Sequence, residues 1–193
     1  MFHVKQKGSN FIMKVYSANA NIQITTHFNS REFKCKCGKS HEFKVNEKLV
    51  EKLEQLHKAL NCSKIIITSG FRCPEYSVKV GGSATDQHTQ GYAADFICYD
   101  SAGKEIDGRK VSCACQDLGF TGIARCKNSF GAVHGDTRTF GTWKGDENVN
   151  YNTVTSDFYL YYGLTKIDVY GKEESKRKLV ITLDGKNIFE GMI

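Results

Sequence analysis

The sequence predicts an α+β fold in which helices flank a small, mainly antiparallel sheet. In residues 46–60 the apolar side chains recur at helical spacing, as in an amphipathic helix that backs a sheet. Residues 64–68, a lysine followed by IIIT, form a β-branched run that is typical of a buried strand. Strands and helices do not alternate regularly along the chain, so a parallel βαβ sheet is not expected.

The elements before residue 100 are predicted from local signals. Strands are expected at 11–16 and 21–25, and Ser30 is a candidate N-cap for a helix that starts in HFNSREF. Pro74 suits the first turn of a short helix that extends to residue 80 and is closed by two glycines. The segment Ala93-Ala94 should begin a buried strand.

The second half is expected to add one helix and several strands. Residues 107–118 have a helical apolar stripe, and FTGIARC and AVHGDTR are interpreted as strands. After Trp143 the chain becomes polar, and both DFYLYYGLTKIDVYG and KLVITLDGKNIFEGMI are interpreted as strands, the latter a hairpin turning at Asp184-Gly185. We therefore predict an N-terminal β extension (1–27), a central domain (28–145) and a β-rich C-terminal appendage (146–193).

Composition favours a soluble globular protein. Of the 193 residues 40% are hydrophobic and 25% are charged, and no apolar run is long enough to span a membrane. The first residues lack the continuous apolar region of a secretory signal, so we expect synthesis in the cytoplasm without export by that route.

Eight cysteines include two CxC pairs, Cys35 with Cys37 and Cys113 with Cys115. Together the pairs offer the four thiolates of a structural zinc site, although such sites usually space their cysteines by two to four residues. The alternative is that all eight are reduced thiols, several of them buried as small hydrophobic side chains. The sequence leaves both interpretations open.

A separate set of residues predicts a catalytic metal site. His88 and Asp95 lie in the pattern HxxGxAxD, and both are good zinc ligands. Catalytic zinc usually has three protein ligands, and His134 in the strand AVHGDTR is the third candidate. Because side chains alternate along a strand, Asp136 and Arg138 should share the face of His134. One zinc ion is therefore expected.

These motifs resemble the zinc D-Ala-D-Ala carboxypeptidase family, peptidoglycan peptidases with a core shared by hedgehog-type domains. The resemblance rests on HFNSREFKCKCG, on SGFRCPEYSVKVGGSATDQHTQGYAADF and on AVHGDTR followed by a tryptophan. It implies that Arg72, in the SGxR motif, holds substrate through its guanidinium fork. Arg138 follows the HxD motif in the usual place, as a substrate-binding or a structural residue.

The resemblance also places an aspartate, Asp136, beside the metal. Some relatives have a Glu or His just before the third ligand, where this chain has Gly131 and Ala132, so Asp136 is the predicted general base. The alternative is that Asp136 only orients a histidine. One position departs from the family: Asp86 replaces the common Ser or Thr, either adding negative charge near the substrate or pairing with Arg72.

The predicted function is zinc-dependent cleavage of peptide bonds in bacterial peptidoglycan, as a D,D-carboxypeptidase or an endopeptidase. The absent signal and the appendage favour a phage or prophage enzyme that reaches the wall after lysis or as part of a virion. Two alternatives are a zinc-bearing wall-binding module without catalysis and a structural phage component.

Nucleic acid is not an expected partner. The net charge is +6, but the lysines are scattered and no nucleic-acid motif accompanies them. Attraction to an anionic cell wall explains the charge equally well. The densest basic cluster comprises Lys172, Lys176, Arg177 and Lys178.

Overall fold

A computed structural model describes residues 12–149, 152–171, 178–183 and 186–192 of the chain. Its strands are β1 (Met13–Tyr16), β2 (Phe43–Asn46), β3 (Lys64–Ser69), β4 (Ala93–Tyr99), β5 (Gly122–Arg125), β6 (Ala132–Asp136), β7 (Trp143–Asp146), β8 (Asn152–Thr153), β9 (Lys178–Leu183) and β10 (Lys186–Met192). Its α-helices are α1 (Glu47–Ala59), α2 (Pro74–Lys79), α3 (Gln87–Gln90), α4 (Gly108–Asp117), α5 (Phe158–Tyr162) and α6 (Lys166–Tyr170). A 3₁₀ helix spans Ser30–Phe33.

A six-stranded sheet in the order β3-β4-β6-β5-β7-β8 forms the centre of the fold. Every neighbouring pair in it is antiparallel except β5 and β7, which are parallel. Strands β1 and β2 form a separate antiparallel pair, as do β9 and β10. The predicted α+β class is confirmed. Within the ranges given above, none of the helices has the length and apolar character that a membrane span requires.

Helix α1 backs the sheet as its apolar spacing predicts. Asn46 caps its first turn by accepting a hydrogen bond from the backbone N–H of Lys48 at 3.1 Å. Leu53 and Leu56 are fully buried in the same core as Phe96 of β4. Truncating either leucine to alanine would cost about 2–5 kcal/mol. The core that includes these leucines therefore contributes strongly to the stability of the region around β4, the strand that carries Asp95.

Two N-terminal predictions are wrong. The cap of the 3₁₀ helix is Asn29, not Ser30. The Asn29 side chain accepts a hydrogen bond from the backbone N–H of Arg31, and the Glu32 carboxylate accepts one from the backbone N–H of Asn29. Ser30 is buried, and its hydroxyl accepts from the N–H of Ile22. The strand expected at 21–25 is reduced to a single bridge between Gln23 and Asn29.

The prediction of strands in DFYLYYGLTKIDVYG is also wrong, because this segment forms α5 and α6. Asp157 and Thr165 act as N-caps, and Gly163 and Gly171 end the helices in left-handed conformation. Aromatic residues favour strands, but here helical spacing places Phe158, fully buried, in the main core. Tertiary packing and caps therefore outweigh propensity.

Strands β9 and β10 confirm the last predicted pair, with Lys186 opposite Leu183. The Asp184-Gly185 turn lies outside the described residues, as do Lys172, Lys176 and Arg177 of the basic cluster. The division at residue 146 stays a prediction. Buried side chains on both sides of it, among them Val133 and Phe158, belong to one core.

Candidate metal centre

The sheet brings two of the three predicted ligands directly together. Strands β4 and β6 are antiparallel neighbours, and their register places Asp95 opposite His134. Side chains that face each other across such a pair are about 4.5–5.5 Å apart at Cβ. The third ligand, His88, lies on α3, which ends just before β4 begins.

The three ligand atoms are spaced as a metal ion requires. His134 Nδ1 lies 2.9 Å from Asp95 Oδ1 and 3.2 Å from His88 Nε2, and His88 Nε2 lies 3.3 Å from Asp95 Oδ1. Ligand atoms in a tetrahedral zinc site, at about 2.0–2.1 Å from the ion, are separated by about 3.3 Å. One side of the triangle faces a cavity, which leaves room for a fourth ligand. The residues present therefore fit a catalytic zinc ion.

Helix α3 is a single turn whose ends are both specified by the sequence. Asp86 is its N-cap and accepts a 3.0 Å hydrogen bond from the backbone N–H of Thr89. Gly91 ends it at a φ of +79°, a conformation that favours glycine. This turn redirects the chain from His88 into β4.

Both histidines have a second partner that orients the ring. Nδ1 of His88 donates to the carbonyl oxygen of Gly70 at 2.8 Å, which leaves Nε2 free to bind metal. Nε2 of His134 lies 3.2 Å from Asp136 Oδ2, which leaves Nδ1 directed at Asp95. Such contacts fix the tautomer and the ring angle of metal-binding histidines.

Asp136 lies behind His134. Its side chain is fully buried, and it binds the guanidinium of Arg138 through both carboxylate oxygens while touching the ring nitrogen of His134 remote from Asp95. Arg138 in turn lies 5.7 Å from the Trp143 ring, in cation–π contact. These contacts support the orienting role that the sequence left open, and the general-base role stays a prediction.

Arg72 forms an ion pair with Asp95, one of the three candidate ligands. It donates to the Asp95 oxygen that faces away from the histidines, and its Nε donates to Ser69 Oγ at 2.8 Å. The contact anchors the carboxylate, and Arg72 also lines the cavity. Substrate binding by Arg72 stays a prediction.

Of the two alternatives for Asp86, the pairing with Arg72 is not the one that the structure has, because Arg72 contacts Ser69 and Asp95 instead. The Asp86 carboxylate accepts hydrogen bonds from three nearby groups: the hydroxyl of Ser77 and the backbone N–H groups of Ser83 and Thr89. Ser, Thr and Asp are all good N-caps, so Asp86 keeps the capping function that a Ser or Thr would have there. Its side chain also borders the cavity.

Opposite charges shift the pKa values of the ligands. Burial opposes ionisation of Asp95, but His134 and His88 outweigh it and hold its pKa well below the ordinary value. Burial likewise disfavours a charged His134, but Asp136 and Asp95 raise its pKa to about 9. The carboxylates around His134 therefore stabilise positive charge at this position. They would stabilise a bound divalent cation in the same way.

The candidate site opens into a cavity of about 560 Å³, large enough for a peptide segment. Its wall combines the three ligands with two arginines, two further carboxylates and one aromatic ring: Arg72, Arg138, Asp86, Glu147 and Trp143. Sequence reasoning missed Glu147, which directly follows β7 and has no motif around it.

The two CxC pairs do not form a common site. Cys113 and Cys115 are fully buried on α4, where burial raises the pKa of both thiols. Cys35 and Cys37 instead approach His41 and Cys73. The sequence reasoning assigned nothing to either of these residues, although His41 follows the first pair in CKCGKSH.

Comparison with known proteins agrees with the site. A search of curated protein sequences finds no match. The family described as Peptidase M15, however, matches residues 26–134, more than half of the 193-residue chain. The match includes Arg72 and all three ligands and ends at His134. The chain is a member of the Peptidase M15 family of zinc metallopeptidases.

Proposed function

We propose that this metallopeptidase hydrolyses peptide bonds in bacterial peptidoglycan, either in stem peptides or in their cross-links. The observation that supports it most is the triangle of His88, Asp95 and His134 ligand atoms beside an open cavity. The arginines of the wall suit a substrate that is anionic or ends in a carboxylate. One zinc ion, held by the three ligands, would polarise the scissile carbonyl and activate water.

The protein's own groups would position the reactants. Arg72 is held by Ser69 and Asp95 at the cavity edge, where its free N–H groups can hold a substrate carbonyl or carboxylate. Arg138 and Asp86 are further candidates for substrate contact. Asp136 would hold the His134 ring in the orientation that directs its Nδ1 at Asp95.

The proton acceptor has two candidates that a comparison of variants separates. Asp136 is predicted from the HxD motif, whereas Glu147 is the carboxylate on the cavity wall that is neither a ligand nor a cap. Its Oε2 accepts from the N–H of Lys127 at 3.1 Å. If Asp136 is the acceptor, Asp136→Asn lowers kcat measured at saturating zinc far more than Glu147→Gln does, because saturation removes any effect of the variant on zinc affinity. The opposite order assigns the role to Glu147.

The experiment is digestion of purified cell wall, with mass analysis of the products, with and without a chelator. We expect muropeptide products that disappear on chelation and return with zinc. His134→Ala should abolish release, while the matched control His27→Ala, a histidine remote from these ligands that pairs with Glu54, should retain it. The mass of the product distinguishes carboxypeptidase from endopeptidase action.

A second candidate function is zinc-dependent binding of cell wall without catalysis. It is favoured by the position of Asp136 behind His134 and by the absence of an acidic side chain at Gly131 and Ala132. Under it the protein sediments with cell wall and releases nothing. A phage role, in lysis or in the virion, is compatible with either function and is tested by locating the protein during infection.

A further inference from the structure

Three cysteines and a histidine gather in a second cluster, separate from the candidate catalytic centre. We propose that Cys35, Cys37, His41 and Cys73 form a structural zinc site. Each residue offers one ligand atom, and these atoms all lie within 4.8 Å of one another. Three thiolates and one imidazole are a common ligand set of structural zinc, which is closed by four protein ligands. The cluster shares no residue with the catalytic triangle.

Backbone N–H groups already point at the sulfur atoms. The N–H of Cys73 donates to Cys35 Sγ at 3.3 Å, and the N–H of Lys39 donates to Cys37 Sγ at 3.3 Å. Gly38, at a φ of +80°, makes the tight turn that directs the Lys39 N–H back to Cys37. Such donors stabilise a thiolate, the form that binds metal.

His41 is oriented as a ligand. Its Nδ1 donates to the carbonyl oxygen of Glu42 at 2.7 Å, which fixes the tautomer. Its Nε2 therefore offers a lone pair, and it lies 3.1 Å from Cys37 Sγ. The His41 ring is arranged like the His88 ring. In both, one nitrogen is hydrogen-bonded to a backbone carbonyl and the other faces the candidate metal position.

The position of the cluster indicates what the ion would stabilise. Cys73 directly follows Arg72, and the preceding residue, Phe71, donates its N–H to the carbonyl oxygen of Phe33 at 2.8 Å. Gly70, which orients His88, belongs to the same short segment. Zinc at the cluster would thus tie the loop after the 3₁₀ helix to the segment that positions Arg72 and His88.

Cobalt substitution tests the proposal without measuring hydrolysis. Wild-type protein, metal-free and kept reduced, is loaded with Co²⁺, which gives intense near-ultraviolet thiolate-to-cobalt absorption only when sulfur is a ligand. We expect two cobalt ions per chain and this absorption. The double substitution Cys35→Ser/Cys73→Ser should lose the absorption and one ion. His134→Ala should lose one ion and keep the absorption.

Matched variants complete the test. Cys113→Ala, in the other CxC pair, should leave both ions and the absorption unchanged. His41→Cys should keep the absorption, and His41→Ala should weaken cobalt binding at this site by about tenfold or more. A wild-type protein that binds cobalt without thiolate absorption overturns the proposal. So does a mass showing a Cys35–Cys73 or Cys35–Cys37 disulfide that persists in the reduced, metal-loaded protein. Neither result bears on the peptidase proposal.

Discussion

At the scale of single residues, the ligands of the candidate catalytic site were predictable, and the orienting role of Asp136 was one of two alternatives that the sequence left open. HxxGxAxD keeps His88 and Asp95 close in sequence, and the alternation of a strand places His134 and Asp136 on one face. The sequence does not show which way the Asp136 carboxylate is held. The ion pair with Arg138 and the contact with His134 decide that, and both depend on side-chain rotamers.

Asp136→Asn tests the orienting role. The substitution removes the negative charge that faces His134 Nε2 and weakens the interaction of residue 136 with Arg138. The His134 ring then loses its fixed orientation. We expect zinc affinity to fall about 10- to 100-fold, the usual effect of losing such a partner. Competition with a chelator of known affinity measures it. Asp100→Asn, in the turn after β4, is the control, and equal affinity in both variants would contradict an orienting role.

The same limit applies to Cys73, which approaches Cys35, Cys37 and His41 from a separate segment. A pattern within one segment, CKCGKSH, was visible, but the fourth ligand comes from the loop before α2. Contacts between distant segments follow from the fold and not from local spacing. On α4, burial of Cys115 follows from helical periodicity. Burial of Cys113, which points in a different direction, does not, because α4 packs against α5 and α6 as well as against the sheet.

At the scale of elements, α1, β3, α2 and α4 were predictable because periodicity and caps agree there. The segment 157–171 was not, because aromatic residues favour strands while its caps and its packing favour helices. The single-turn helix α3 was also missed, since four residues are too few to show a period.

Gly91→Ala tests how tightly the end of α3 is specified. At a φ of +79° a side chain is strained, and a Cβ would lie 2.8 Å from the carbonyl oxygen of Lys44. We expect a loss of about 1–3 kcal/mol in unfolding free energy and a lower zinc content. Gly103→Ala is the matched control, with a φ of +77° and open space around it. Equal losses in the two variants would show that the contact with Lys44 contributes nothing.

Asp107→Ala tests the N-cap of α4. Burial opposes ionisation of Asp107, but hydrogen bonds from Arg109 outweigh it and hold its pKa below the ordinary value. A carboxylate with a lowered folded pKa stabilises the protein above the unfolded pKa and loses that effect as pH falls through the folded one. We expect a cost of about 1 kcal/mol at neutral pH that shrinks below about pH 4.

Denaturant unfolding across pH measures this cost, with Asp107→Asn as control because an amide still caps the helix. A penalty for Asp107→Ala that is the same at pH 3 and pH 7 would mean that the charge of the carboxylate plays no part.

At the scale of the whole molecule, the fold places three chain segments around one point. Helix α1 and the core under β4 set the position of Asp95, the pairing of β4 with β6 sets His134, and α3 sets His88. The fold class could be predicted from the sequence because α1, α4 and the main strands of the central sheet are locally marked. The strand order, with β7 parallel to β5, could not, because it depends on long-range pairing.

Zinc should stabilise the whole chain by mass action. An ion that binds only the folded protein adds about 2.7 kcal/mol at a hundredfold excess over Kd. We therefore expect chelation to lower Tm and zinc to restore it, and His134→Ala to reduce that shift. If the thiol cluster also binds zinc, His134→Ala retains part of the shift. A Tm that does not respond to chelation would argue against any tightly bound ion.

The central claim is that His88, Asp95 and His134 bind one zinc ion, and anomalous diffraction at the zinc edge tests it most directly. We predict a peak within about 2.0–2.2 Å of His88 Nε2, Asp95 Oδ1 and His134 Nδ1 together. A zinc-loaded crystal with no peak inside this triangle would contradict the account.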